Sequence, residues 1–141
     1  MSIRNLEFFL KPSSVALIGA STRPHSVGAV ILKNILEAGF QGDVFLVNPK
    51  HRTMGGLPTY PNVASLPKSP DLAVIAIPPD SVPEVIAEAG ACGTKVAVVI
   101  TAGLGEGGLQ GGLELRHAML NAAQLYSLRV VGPNCLGIMV P

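Results

Sequence analysis

The chain has 141 residues, a formal net charge of +1, and 13% charged against 48% hydrophobic residues. That length makes one domain with a core of its own and leaves little room for a second. A charge so close to neutral gathers no polyanion such as nucleic acid, and so apolar a chain does not stay disordered, which leaves small molecules as the natural ligand class.

Taken in chain order, the first element is the apolar run "SVALIGA" (14–20). After a turn of small residues a helix is predicted over 26–38, with Val27, Val30, Ile31 and Ile35 on one stripe and Gly39 just past its end. "DVFLV" (43–47) is the second strand. The stretch 48–71 that follows holds five prolines, which predicts mostly ordered loop with room for a short helix at 62–66. "LAVIAI" (72–77) is the third strand, followed by a helix over 81–89 that opens on Asp80, Ser81 and Pro83 and stops at Gly90. Next come the strand "KVAVVIT" (95–101), a helix over 109–126 with Leu113, Leu120 and the intervening Ala and Met residues facing inward, and the strand "LRVVG" (128–132). The runs are nearly continuous in apolar residues, as in strands buried on both faces of a parallel sheet. Their alternation with helices predicts an α/β fold, a Rossmann-like doubly wound parallel sheet in a single domain spanning 1–141.

No apolar run approaches the roughly 18 residues that cross a bilayer. The opening "MSIRNLEFFL" carries Arg4 and Glu7 where a signal peptide has an apolar centre, so a cytoplasmic protein without membrane contact is expected. Cys92 and Cys135 form no CxxC, which predicts reduced thiols and no metal site.

Ligands of such sheets bind beyond the carboxyl ends of the strands, where the strand order reverses. After the first strand comes "GASTRPHSVG", in which Gly19 permits a tight turn, Ala20 and Ser21 are small, and the helix starting near Ser26 offers free N–H groups to an anion. The spacing is not GxGxxG, since Ser21 stands at the second glycine position. After the second strand comes "VNPKHR", with Lys50, His51 and Arg52 where an NAD site has a carboxylate. Cations there match a phosphate on the ribose, and both NADP and coenzyme A carry one. Pro78 and Pro79 offer a rigid apolar wall after the third strand, and Thr101 offers a hydroxyl after the fourth. Gly103, Gly105, Gly107, Gly108, Gly111 and Gly112 then crowd ten positions, the composition of a flexible segment beside a site.

The last stretch contains "GPNCLG" (132–137), and with "VALIGAS" and "VNPK" at these separations it resembles the coenzyme A-binding domain of the succinyl-CoA synthetase α-subunit. It is more closely similar to that of the NDP-forming acyl-CoA synthetases, over about residues 6–141. "STRPHSVG" and "NPKHRTMGGLPTYPNVASLP" look particularly like the N-terminal part of bacterial protein lysine acetyltransferases, in which this region is fused to a GNAT domain. The resemblance implies coenzyme A or acetyl-CoA as ligand. It places Gly19, Ser21, Thr22, Arg23, Ser26 and Val27 at the phosphates and arm, Lys50 at the ribose 3′-phosphate, and Pro78, Ile100 and Thr101 at the remaining contacts. An NADP-binding oxidoreductase domain and a stand-alone CoA-binding protein are the alternatives. In the family, the phosphohistidine, the ATP-grasp module and the GNAT domain lie on other parts of a longer enzyme. His25, His51 and His117 do not stand at the phosphohistidine's place, and Cys135 has no His or Asp placed to activate it. The chain is therefore expected to bind a ligand and not to catalyse, with further domains of a parent ligase or acetyltransferase as its partners.

Overall fold

The structure, a computed structural model, describes residues 11–20, 26–49, 53–54, 56–101, 104 and 110–132. Along the chain run β1 (Ser14–Ile18), α1 (Val27–Glu37), β2 (Asp43–Val47), β3 (Thr53–Met54), β4 (Leu57–Tyr60) and a 3₁₀ turn (Val63–Ser65). Then come β5 (Leu72–Ile75), a second 3₁₀ turn (Pro79–Ser81), α2 (Val82–Cys92), β6 (Val96–Val99), α3 (Gln110–Leu125) and β7 (Arg129–Val131). The sheet order is β3-β4-β2-β1-β5-β6-β7. All neighbours pair in parallel except β3, which lies antiparallel to β4 at the edge. This is the Rossmann-like α/β domain that the alternation of runs and helices predicts.

The apolar runs are continuous because the sheet is covered on both faces. Leu17 of β1 and Leu46 of β2 point to one side and pack with Leu32 of α1. Their neighbours Ile18 and Val47 point to the other and join Ile75, Val82, Ile86, Val99 and Met119 in the larger core beneath α2 and α3. β1 is the central strand and is buried along its whole length.

Four readings of the sequence are corrected by the structure. The proline-rich connection contains two strands, because β4 lies near the sheet edge, where Pro58 removes few ladder hydrogen bonds. Gly90 does not end α2 but lies inside it and is fully packed; the helix ends at Gly93, at φ +100°, whose N–H reaches the carbonyls of Ala89 and Gly90. The inward stripe of α1 is Gly28, Ile31, Leu32 and Ile35, leaving Val27 and Val30 about half exposed. In α3 the packed residues are Leu115, Met119, Ala122 and Ala123; Leu120 is exposed, and Gly111 and Gly112 belong to the helix. Both helices are apolar over more than one face, so the 3.6-residue period alone does not select the phase that the sheet accepts. Among the described residues no helix is long and apolar enough to cross a membrane. Cys92 is a free, half-buried thiol, and Cys135 lies outside the described residues.

Candidate functional site

The chain leaves β1 for β2 and β4 on one side and returns to β5, β6 and β7 on the other, so the strand order reverses between β1 and β5. A cavity of about 860 Å³ opens there, at the carboxyl ends of the strands. Its floor is made by Ile18, Gly19 and Ala20 after β1, Val47, Asn48 and Pro49 after β2, and Ala76, Ile77 and Pro78 after β5. One side is closed by Pro61, Asn62 and Val63, and another by Ser81, Glu84, Val85 and Glu88 of the α2 segment.

Three of the floor residues extend the sheet's own ladder. Gly19 N–H donates to the Val47 carbonyl (3.1 Å), Ala76 N–H to Ile18 (2.9 Å) and Asn48 N–H to Tyr60 (2.9 Å). The Asn48 side-chain amide donates to the Ala20 carbonyl at 2.7 Å, tying the end of β2 to the start of the turn after β1. Gly19 sits at φ +100°, and a Cβ there would stand 2.1 Å from the Ala76 carbonyl oxygen. The glycine is therefore demanded by the backbone of the β5 end, independently of any ligand. At the start of α1, Ser26 is the N-cap, its hydroxyl accepting the Ala29 N–H at 3.2 Å. The amides of Val27 and Gly28, in the first helical turn, come before the i→i−4 ladder begins and need partners from outside it.

The far wall is built differently. Asn62 Oδ1 accepts the Ser65 N–H (2.9 Å), while Glu88 Oε1, reaching from α2, accepts the N–H of Val63 (2.6 Å) and of Ala64 (3.3 Å). All three leading N–H groups of this 3₁₀ turn are thereby satisfied.

Of the residues expected at the site, Gly19 and Pro78 line the cavity. Ser26 and Val27 are at the start of α1, with Val27 53% exposed. Ile100 extends the ladder through its N–H to the Ile75 carbonyl. The buried Thr101 hydroxyl donates to the Ile77 carbonyl (2.7 Å) and accepts the Ile77 N–H (3.2 Å), so it braces the cavity floor from behind. Ser21, Thr22, Arg23 and Lys50 lie outside the described residues, as do Gly103, Gly105, Gly107 and Gly108. The sequence reading passed over the α2 wall, although Ser81, Glu84, Val85 and Glu88 fall at the i, i+3, i+4, i+7 spacing of a single helix face. The Pro61–Val63 wall has no comparable signal, because it falls in the proline-rich stretch that predicts mostly loop.

The sequence matches the CoA binding domain family over residues 13–141. The chain belongs to that family. It is 41% identical over 134 residues to acetate–CoA ligase (ADP-forming) I of Archaeoglobus fulgidus, covering 95% of this chain and 19% of the relative. It is 36% identical to the acetate–CoA ligase (ADP-forming) I α-subunit of Pyrococcus furiosus, covering 96% of this chain and 30% of that subunit. Among solved structures it superposes with a TM-score of 0.87, at 42% identity, on a dinucleotide-forming acetyl-coenzyme A synthetase 1 of Ca. Korarchaeum cryptofilum in complex with phosphate and ADP. That superposition covers 94% of this chain and 28% of the synthetase. As a CoA binding domain the chain thus spans under a third of the length of these ligases, and the resemblance to the acyl-CoA synthetase family read from "VALIGAS", "VNPK" and "GPNCLG" holds.

Proposed function

We propose that this domain holds coenzyme A, free or acylated, in the cavity at the β1–β5 switch point, as the CoA-binding part of an acyl-CoA ligase. The observation that carries this reading is the position of the cavity: about 860 Å³, within the roughly 300–1,000 Å³ of ligand clefts, directly beyond the glycine turn that follows the central strand. In this reading Gly19, Ser21, Thr22, Arg23, Ser26 and Val27 surround the phosphates and the arm, with the first-turn amides of α1 supplying donors. Lys50 meets the 3′-phosphate, and Pro78 forms an apolar wall without an N–H. Ile100 and Thr101 act one layer back, through the ladder and the Ile77 backbone. The domain's own contribution is to bind and orient; activation of the acid and transfer of the acyl group belong to other parts of a longer enzyme. A ligase parent is favoured over an acetyltransferase because the relatives named above are ligases. NADP is disfavoured by the family to which the chain belongs.

Calorimetric titration tests this with coenzyme A, dephospho-coenzyme A and NADP. Coenzyme A binds most tightly, and Lys50→Ala weakens it by about tenfold or more while leaving dephospho-coenzyme A nearly unchanged, since one charge-assisted contact is lost for only one of them. Tighter binding of NADP than of coenzyme A overturns the ligand. Equal losses for coenzyme A and dephospho-coenzyme A remove Lys50 from its role.

A further inference from the structure

We infer that Glu88 is a positioning residue for the ligand site: it acts through the Val63–Ser65 turn and sets where the far wall of the cavity stands. The inference rests on the coenzyme A reading above for its ligand, though not for the contact itself. Glu88 belongs to α2, whose face toward the sheet is anchored by the fully buried Val82, Ile86 and Ala89. The wall it holds lies 25 residues earlier in the chain, between β4, next to the sheet edge, and β5, in the most proline-rich part of the sequence. There the backbone has few ladder hydrogen bonds to fix it: β4 pairs with β2 through only two residues, Thr59 with Leu46 and Tyr60 with Val47. Beyond Tyr60 the wall is fastened by packing and by hydrogen bonds. The Val63 side chain is 2% exposed and sits in the core, Leu66 just after the turn packs against the same core, and one oxygen of Glu88 accepts the N–H of Val63 and of Ala64.

The two kinds of fastening do different things. Core packing of Val63 and Leu66 fixes how deep the turn sits, but apolar contact is non-directional and does not set the rotation of the turn or the direction of its leading amides. Two convergent N–H donors on one carboxylate oxygen do, because both must point at the same atom, and a charged acceptor makes such bonds roughly twice as strong as neutral ones. Pro61, Asn62 and Val63 are the residues whose facing toward the cavity depends on that rotation. The same contact occupies the leading amides of this turn, so an anionic group of the ligand gains nothing at this end. The phosphates are directed instead to the opposite end, beside Gly19 and α1.

Substitution with three readouts tests the inference: amide hydrogen exchange, affinity for coenzyme A and the thermal midpoint. In Glu88→Ala the amides of Val63 and Ala64 exchange about tenfold faster or more, while those of β1, β5 and β6 keep their protection, and the coenzyme A dissociation constant rises about tenfold. Glu88→Gln, whose side-chain oxygen still accepts both amides, returns both quantities to within about threefold of wild type. Rapid exchange at Val63 and Ala64 with unchanged affinity overturns the positioning role, since the wall would then be loose without consequence. So does accelerated exchange throughout the central strands with a matching fall in midpoint, which marks Glu88 as merely structural. If the wild-type domain fails to bind coenzyme A, the ligand reading is wrong, and the exchange pattern at Val63 and Ala64 still decides whether the carboxylate holds the turn.

Discussion

Thr101→Val separates two roles for a residue that the family pattern implies at the ligand and that the structure ties to the Ile77 backbone. The threonine is 8% exposed, and its hydroxyl both donates to and accepts from the backbone of Ile77, joining the end of β6 to the end of β5 beneath the cavity. Valine keeps the shape and removes both hydrogen bonds. Each neutral bond contributes about 1 kcal/mol net, and the partly buried Ile77 amide and carbonyl are left without their partner, so the loss comes to about 2–3 kcal/mol. For 141 residues at about 2.1 cal/mol/K each, the unfolding entropy is roughly 0.3 kcal/mol/K, which converts that loss into a midpoint lower by about 7–10 °C. Differential scanning calorimetry of Thr101→Val beside Thr101→Ser, which keeps the hydroxyl, measures it. Coenzyme A affinity, titrated well below both midpoints, should change by less than about threefold, because the hydroxyl's single proton is already donated to the Ile77 carbonyl. An unchanged midpoint together with a tenfold loss of affinity would overturn the bracing role and return Thr101 to direct contact.

Gly19→Ala combines a side chain at φ +100°, costing about 1–3 kcal/mol, with a Cβ 2.1 Å from the Ala76 carbonyl oxygen. It should lower the midpoint before any effect on binding is considered, and circular dichroism melting that matches wild type would show that the turn relaxes freely and that the glycine serves the ligand instead. In Gly90→Ala the new Cβ stands 2.6 Å from the Cβ of Tyr126. The roughly 1 kcal/mol gained in helix propensity is outweighed by overpacking of about 1–3 kcal/mol, so denaturant titration should report net destabilisation, and a stabilised variant would mean that the end of α3 moves away without cost.

The order of apolar runs and helices was enough to predict the layout and the end of the sheet at which the cavity opens. Unbroken runs such as "VALI" and "AVVI" have no polar face to offer water, so only a sheet covered on both sides can bury them, and helices between such runs make that sheet parallel. The glycine turn after β1 was legible for the same local reason, as were the family motifs, whose residues are contiguous. Tertiary structure decided what depends on contacts between distant segments. The role of Gly19 is set by the β5 backbone 57 residues away; the Thr101 hydroxyl is tied to the backbone of Ile77, and Gly90 is turned from helix stop to packing site by Tyr126. The α1 and α3 faces were ambiguous because both helices are apolar beyond one stripe, and the sheet chose the phase. The far wall was illegible because prolines hide a short strand next to the sheet edge, and the carboxylate that holds it comes from α2, reaching its amides only once the chain has folded.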